Sequence, residues 1–213
     1  MTSISRPIFA RFYAKLSRQM EVELGQHRHA LLEDLSGSVL EVGCGNGLNF
    51  SHYPASVVQV TAIEPEPHLR RLAVAEASRS AVPIEVMAGV AEDLPVADAA
   101  FDAVVTTLVL CSVRDPAAAV DEIRRVLRPG GEFRFLEHVR ADTSALGMVQ
   151  RVADATVWPL FVGGCHTHRD TAAAIRRAGL NVTELRSVRF PDLTISTPTT
   201  PHILGTATIE VGR

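Results

Sequence analysis

The stretch Val39-Leu40-Glu41-Val42-Gly43-Cys44-Gly45-Asn46-Gly47 constrains this chain more than any other. An apolar run leads straight into three glycines at alternate positions. The run reads as a buried strand. The glycines let the backbone turn tightly and come close to a ligand. Leu48-Asn49-Phe50-Ser51 is then expected to start a short helix. A strand, a glycine turn and a helix N-terminus together build a nucleotide-type pocket. One acid, Glu41, stands two residues before the first glycine.

The rest of the chain alternates strand and helix patterns, which predicts a parallel sheet with helices on both faces. Strands are expected at 57–63, 83–87, 101–107 and 132–139, with helices at 68–80 and from Pro116 to the Arg128-Pro129-Gly130-Gly131 stop. Ahead of them, residues 5–35 carry Phe9, Phe12, Tyr13, Leu16, Met20 and Leu24 at helical spacing, with a break expected at Gly25. The last third predicts a helix over 145–160 kinked at Pro159, a helix over 169–178 capped by Thr167, and strands at 182–190 and 202–211. A Thr- and Pro-rich loop at 191–201 joins those two strands.

The chain has 213 residues, 46% of them hydrophobic, enough for one sizeable α/β domain. A net charge of −3 gives no electrostatic case for nucleic acid. Three scattered cysteines suggest no disulfide framework, so a reducing, cytoplasmic setting is expected. No stretch of ~20 apolar residues predicts a membrane span.

A dinucleotide fingerprint requires G-x-G-x-x-G. Here the third glycine comes one place early, at Gly47, and position 48 is leucine. Glu41 would also repel a diphosphate. A cationic, phosphate-free ligand reverses that sign, and S-adenosylmethionine, with its ammonium and sulfonium, is one. Glu64, at the end of the second strand, is placed to accept from both hydroxyls of a ribose; NAD sites use the same chemistry.

The chain resembles the class I S-adenosylmethionine-dependent methyltransferases in five segments between about 36 and 140. They are the glycine stretch, Ile63-Glu64, Ala91-Glu92-Asp93-Leu94-Pro95, Phe101-Asp102-Ala103-Val104-Val105 and Val126-Leu127-Arg128-Pro129-Gly130-Gly131. A narrower resemblance is to the methyltransferase-like thiol S-methyltransferases. It rests on Leu40 to Phe50, Tyr53-Pro54, Thr107 to Val113, Glu137-His138-Val139, Gly164-Cys165 with Arg169, and Pro201-His202-Ile203. The resemblance implies a Rossmann-like, doubly wound seven-stranded sheet of order 3-2-1-4-5-7-6, the last strand antiparallel. It also implies one domain: a helical cap at 1–36, a cofactor half at 37–140 and a substrate side at 141–213. The implied cofactor is S-adenosylmethionine. Its methionine part is expected on Gly43, Gly45 and Gly47, with Cys44 and Asn46 between them and Glu41 near the ammonium. Glu64 and Pro65 take the ribose, Ala91 and Glu92 flank the adenine, Thr107 and Leu108 sit beside the methyl, and Tyr13 closes the lid.

The implied acceptor is a small molecule, a thiol first, with C- or O-methylation of a quinone or phenol as the alternative. A binding module without chemistry is the non-enzymatic alternative. Cys111, Trp158, Cys165 and His166 are the expected substrate lining, and Glu137 and His138 the expected helpers. Cys165-His166-x-His168 offers three ligands within four residues, too close together to close a tetrahedral site, so no metal is expected. Cys44 and Cys111 read as small buried apolar residues.

Overall fold

The protein is described by a computed structural model covering residues 6–156, 158–192 and 196–209. The calls on residue 5, on 193–195 of the Thr/Pro loop and on 210–211 of the last strand lie outside the described residues. The sheet is built from β1 (Gly37–Val42), β2 (Val57–Ile63), β3 (Ile84–Met87), β4 (Phe101–Thr107), β5 (Leu127–His138), β6 (Leu180–Arg189) and β7 (Pro201–Ile209). Its order is β3-β2-β1-β4-β5-β7-β6, as the resemblance implied. β1 to β5 pair in parallel, and β7 runs antiparallel to both β5 and β6.

Alternation along β1 divides the core. Leu40 and Val42 face one cluster with Val104, Phe133 and Phe135, covered by α3 (Pro116–Val126) and α6 (Thr171–Arg177). Val39 faces the other with Val60, Val105 and Leu136, against α1 (Pro7–Leu32). This is the period-2 pattern of a strand buried on both faces.

α1 runs unbroken through Gly25. A Cβ there would stand 3.2 Å from Glu21 Oε1 and 3.9 Å from the His52 ring. That side of the helix packs on the turn after β1, and tertiary contact outweighs glycine's helix penalty of about 1 kcal/mol. Of the expected stripe, Leu24 is buried and Tyr13 and Met20 pack on the core, but most fully buried positions lie one step along. Ala10, Ala14, Ser17, Leu24, Arg28 and Leu31 face inward, while Phe12 is exposed.

The glycine turn is followed only by a 3-10 turn, Phe50–His52, and not by a helix. Pro54 lies just beyond it and Asn49 is drawn into side-chain bonds. The expected 145–160 helix is two, α4 (Ser144–Asp154) and α5 (Trp158–Phe161). The residue before a proline avoids the helical region, and Pro159 sits at the start of α5. Asp170, not Thr167, caps α6, accepting from Ala173 N–H at 3.0 Å. Thr167 is buried and bonded to Asp154 instead, its hydroxyl 2.9 Å from Oδ1. β5 begins five residues early at Leu127, and its register with β4 slips across the Arg128-Pro129-Gly130-Gly131 segment. No helix among the described residues is long and apolar enough to cross a membrane.

Candidate active site

Strand order reverses between β1 and β4, and such a switch point opens a crevice at the carboxyl ends of the strands. Glu41, Glu64, Thr107 and Glu137 all stand at or next to carboxyl ends, of β1, β2, β4 and β5. α1 and the loop after α5 lie across the same end.

Gly43, Gly45 and Gly47 all have positive φ, at 68°, 58° and 82°. A Cβ on Gly43 would meet Val109 Cγ2 at 2.6 Å, and one on Gly47 the Phe50 ring at 2.8 Å. Gly45 faces Tyr13, whose ring is 3.6 Å from where its Cβ would be. Tyr13 stacks on Phe9 at 5.6 Å, and the Phe9 ring stands against Gly163, so α1 links the turn to the loop after α5.

Glu41 is 2% exposed and its two oxygens are spent inside the protein. Tyr53 donates its hydroxyl at 2.8 Å and Asn49 its amide at 3.0 Å. The same Asn49 amide nitrogen donates to Thr107 Oγ1 at 3.1 Å, and its oxygen accepts from Arg28 at 2.7 Å. Asn49 therefore ties β1 to β4 beneath the turn. Sequence reading missed it and Arg28, since nothing local marks either. Burial lifts the Glu41 carboxyl to about 7 against the opposing bonds from Tyr53 and Asn49.

Glu64 spans the turn and the start of α2 (Pro67–Ala77). One oxygen accepts from Gly45 N–H at 2.8 Å and the other from Glu66 N–H at 2.8 Å. Burial raises it to about 7 as well. Arg70 reaches back to the Glu64 carbonyl at 2.8 Å and the Pro65 carbonyl at 3.3 Å.

Glu137 is fully buried and holds the loop leaving β4, accepting from Val109 N–H at 3.1 Å and Cys111 N–H at 3.4 Å. Leu108, the first residue of that loop, has φ 59°. A branched side chain in the left-handed region is strained. Its N–H is anchored on the Leu136 carbonyl at 2.8 Å. Burial raises Glu137 to about 7.

His138 lies between Cys165 Sγ at 3.4 Å from Nδ1 and the Pro198 carbonyl at 2.8 Å from Nε2. Burial pushes this imidazole down, but the Cys165 sulfur outweighs it and the net direction is up. The Cys165 thiol is lowered to about 5, first by the neighbouring Cys111 thiol and then by His138. The indole N–H of Trp158 is buried with no partner at hydrogen-bond distance among the described residues. Cys111 is pushed up by the nearby Cys165 sulfur and by burial. His166 donates its backbone N–H to the Cys111 carbonyl at 2.8 Å, and its Nδ1 lies 2.8 Å from the Gly164 carbonyl.

Ala91 is buried, but Glu92 is turned to the loop before α3, accepting from Arg114 N–H at 2.8 Å. The fold thus gathers Tyr13, Glu41, the glycines, Glu64, Thr107, Leu108 and Glu137 at one end of the sheet.

These groups fit S-adenosylmethionine. Three positive-φ glycines leave the turn without side chains. Asn46 Nδ2 is buried there with no partner among the described residues, a donor left for a ligand. Arg28 and Arg70, whose fields reach Glu41 and Glu64, are spent on Asn49, Glu21 and backbone carbonyls. Carboxylates and free amides suit a cationic amino-acid ligand with a ribose better than a diphosphate.

Comparison with known proteins agrees. The methyltransferase-domain family matches residues 40–135. Human thiol S-methyltransferase TMT1A is 39% identical over 72% of this chain and 64% of its own length, so the chain spans under two thirds of that relative. Mouse thiol S-methyltransferase TMT1B is 33% identical over 96% of this chain and 87% of its own length. An S-adenosylmethionine-dependent methyltransferase from Thermotoga maritima superposes with a TM-score of 0.69 at 20% identity, covering 95% of this chain and 99% of that one. The chain is an S-adenosylmethionine-dependent methyltransferase and belongs to the family of the thiol S-methyltransferases TMT1A and TMT1B.

Proposed function

We propose that this methyltransferase acts on a small thiol. When bound, S-adenosylmethionine supplies an electrophilic methyl on a sulfonium. The glycine turn, Asn46 and Glu64 hold the cofactor in this reading, with Tyr13 over it. Glu41, bonded to Tyr53 and Asn49, orders the turn from beneath and keeps an acid near the ammonium. Glu137 is likewise a positioning residue for the loop that follows β4.

The observation that carries the thiol reading is that neither expected helper is a free base. Both Glu137 oxygens face backbone N–H groups, and His138 is held between Cys165 and Pro198. A phenol, with a pKa of ~10, needs a base near neutrality; a thiol at ~8.5 is already partly thiolate. Alignment alone can then supply ~7–11 kcal/mol of the barrier. A panel of alkyl thiols, phenols and quinols, read by mass spectrometry, tests the acceptor. Thioethers are the expected products; turnover confined to oxygen or carbon acceptors overturns the reading.

A further inference from the structure

Cys111, His138 and Cys165 come from three separate segments and are all buried, with Sγ, imidazole nitrogen and Sγ within 4.8 Å of one another. The sequence pattern Cys165-His166-x-His168 pointed at other ligands. The fold passes over both of those histidines and selects one from the end of β5.

The imidazole is set for ligation. Nε2 lies 2.8 Å from the Pro198 carbonyl, which can only accept, so Nε2 carries the proton. Nδ1 faces Cys165, 3.4 Å away, where a bound cation would take its lone pair. Gln150 donates to the same Pro198 carbonyl at 2.9 Å and fixes it. A histidine whose second N–H is anchored on a carbonyl is the usual outer support of a metal ligand.

Two sulfurs and one imidazole nitrogen form the three-ligand set of an open zinc site. Bonds of ~2.3 Å to sulfur and ~2.0 Å to nitrogen give tetrahedral edges of about 3.5–3.8 Å, a contraction of about 1.3 Å at most from the present spacing. Two thiolates cancel the charge of a dication. Val109, two residues before Cys111, stands against Gly43, and Phe9, stacked on the Tyr13 ring over Gly45, stands against Gly163, two residues before Cys165, so the cluster adjoins the glycine turn.

We infer that Cys111, His138 and Cys165 bind a zinc-class divalent cation whose fourth position receives the acceptor sulfur. The inference rests on the thiol reading above. The acceptor thiol loses its proton to solvent on binding. Its sulfur lone pair forms the new S–CH3 bond. The electron pair of the broken CH3–S bond returns to the cofactor sulfur, so a thiolate and a sulfonium become two neutral thioethers. The neutral product is a weak ligand and leaves.

Reduced, metal-stripped protein titrated anaerobically with Co2+ tests this. One cation per chain is expected, with sulfur-to-cobalt charge-transfer absorption and the visible bands of a tetrahedral ion. Cys165→Ser and His138→Ala should each weaken binding at least about tenfold, with folding checked by circular dichroism. Adding 2-mercaptoethanol should shift the visible bands. No stoichiometric binding by the folded wild type, or binding indifferent to Cys165→Ser, overturns the site. Bands that ignore the added thiol overturn its acceptor position. Full thiol methylation by metal-stripped protein overturns the cation's role while leaving the thiol reading intact. Loss of S-adenosylmethionine binding in calorimetry of the unmodified protein would instead strike the reading beneath both.

Discussion

The backbone N–H of Gly45 donates to the Glu64 carboxylate at 2.8 Å, making the glycine turn and the end of β2 one unit. Glu64→Gln keeps the size but places an amide where two N–H donors converge. A hydrogen bond to a charged group contributes ~1.5–3 kcal/mol, and ~1.4 kcal/mol is tenfold in affinity. Affinity for S-adenosylmethionine should fall by about tenfold or more in calorimetry. Unchanged affinity in a folded variant would remove Glu64 from the cofactor site.

Asn49 joins Arg28, Glu41 and Thr107, all within 3.1 Å. Asn49→Ala leaves a buried guanidinium and a buried carboxyl short of partners. The expected loss is about 2–4 kcal/mol in urea unfolding. A loss below about 0.5 kcal/mol would show that water replaces the amide.

Gly43→Ala would press its methyl against Val109, where only 2.6 Å is available, and would also strain a φ of 68°. Cofactor binding should be largely lost. Adding Val109→Ala should recover part of it, because the steric term goes while the backbone term of about 1 kcal/mol stays. A double variant no better than Gly43→Ala alone would assign the whole defect to backbone strain.

Burial raises Glu137 to about 7, above the ~4.3 of the unfolded chain. A group that keeps its proton in the fold and loses it on unfolding makes stability fall as pH climbs from about 4.5 to about 7. Glu137→Gln does not titrate. The stability of wild type relative to this variant should therefore decline across that window, by at most ~1.4 kcal/mol per pH unit. A relative stability that rises with pH in paired urea titrations would mean the Val109 and Cys111 N–H groups hold Glu137 ionised.

Much of the frame was legible because burial on both faces leaves a strong trace. β4, Phe101–Thr107, was bounded at both ends by its apolar run, and the spacing of Gly43, Gly45 and Gly47 with Glu41 separated cofactor classes. What failed were places where distant contact overrides local preference. Gly25 stays helical against His52, and Thr167 is claimed by Asp154 and leaves the cap to Asp170. Glu41 was legible as buried, but its partners Tyr53 and Asn49 were not. The meeting of Cys111, His138 and Cys165 depends on the crossing order of the sheet, which no local pattern contains.

The central claim is methyl transfer from S-adenosylmethionine to a thiol. The most direct measurement incubates the protein with cofactor carrying a deuterated methyl and a small alkyl thiol, and follows both products by mass spectrometry. The account predicts a thioether carrying the label and an equal amount of S-adenosylhomocysteine, both lost in Gly43→Ala. Labelled product confined to an oxygen or carbon acceptor, or S-adenosylhomocysteine formed without thioether, would contradict it.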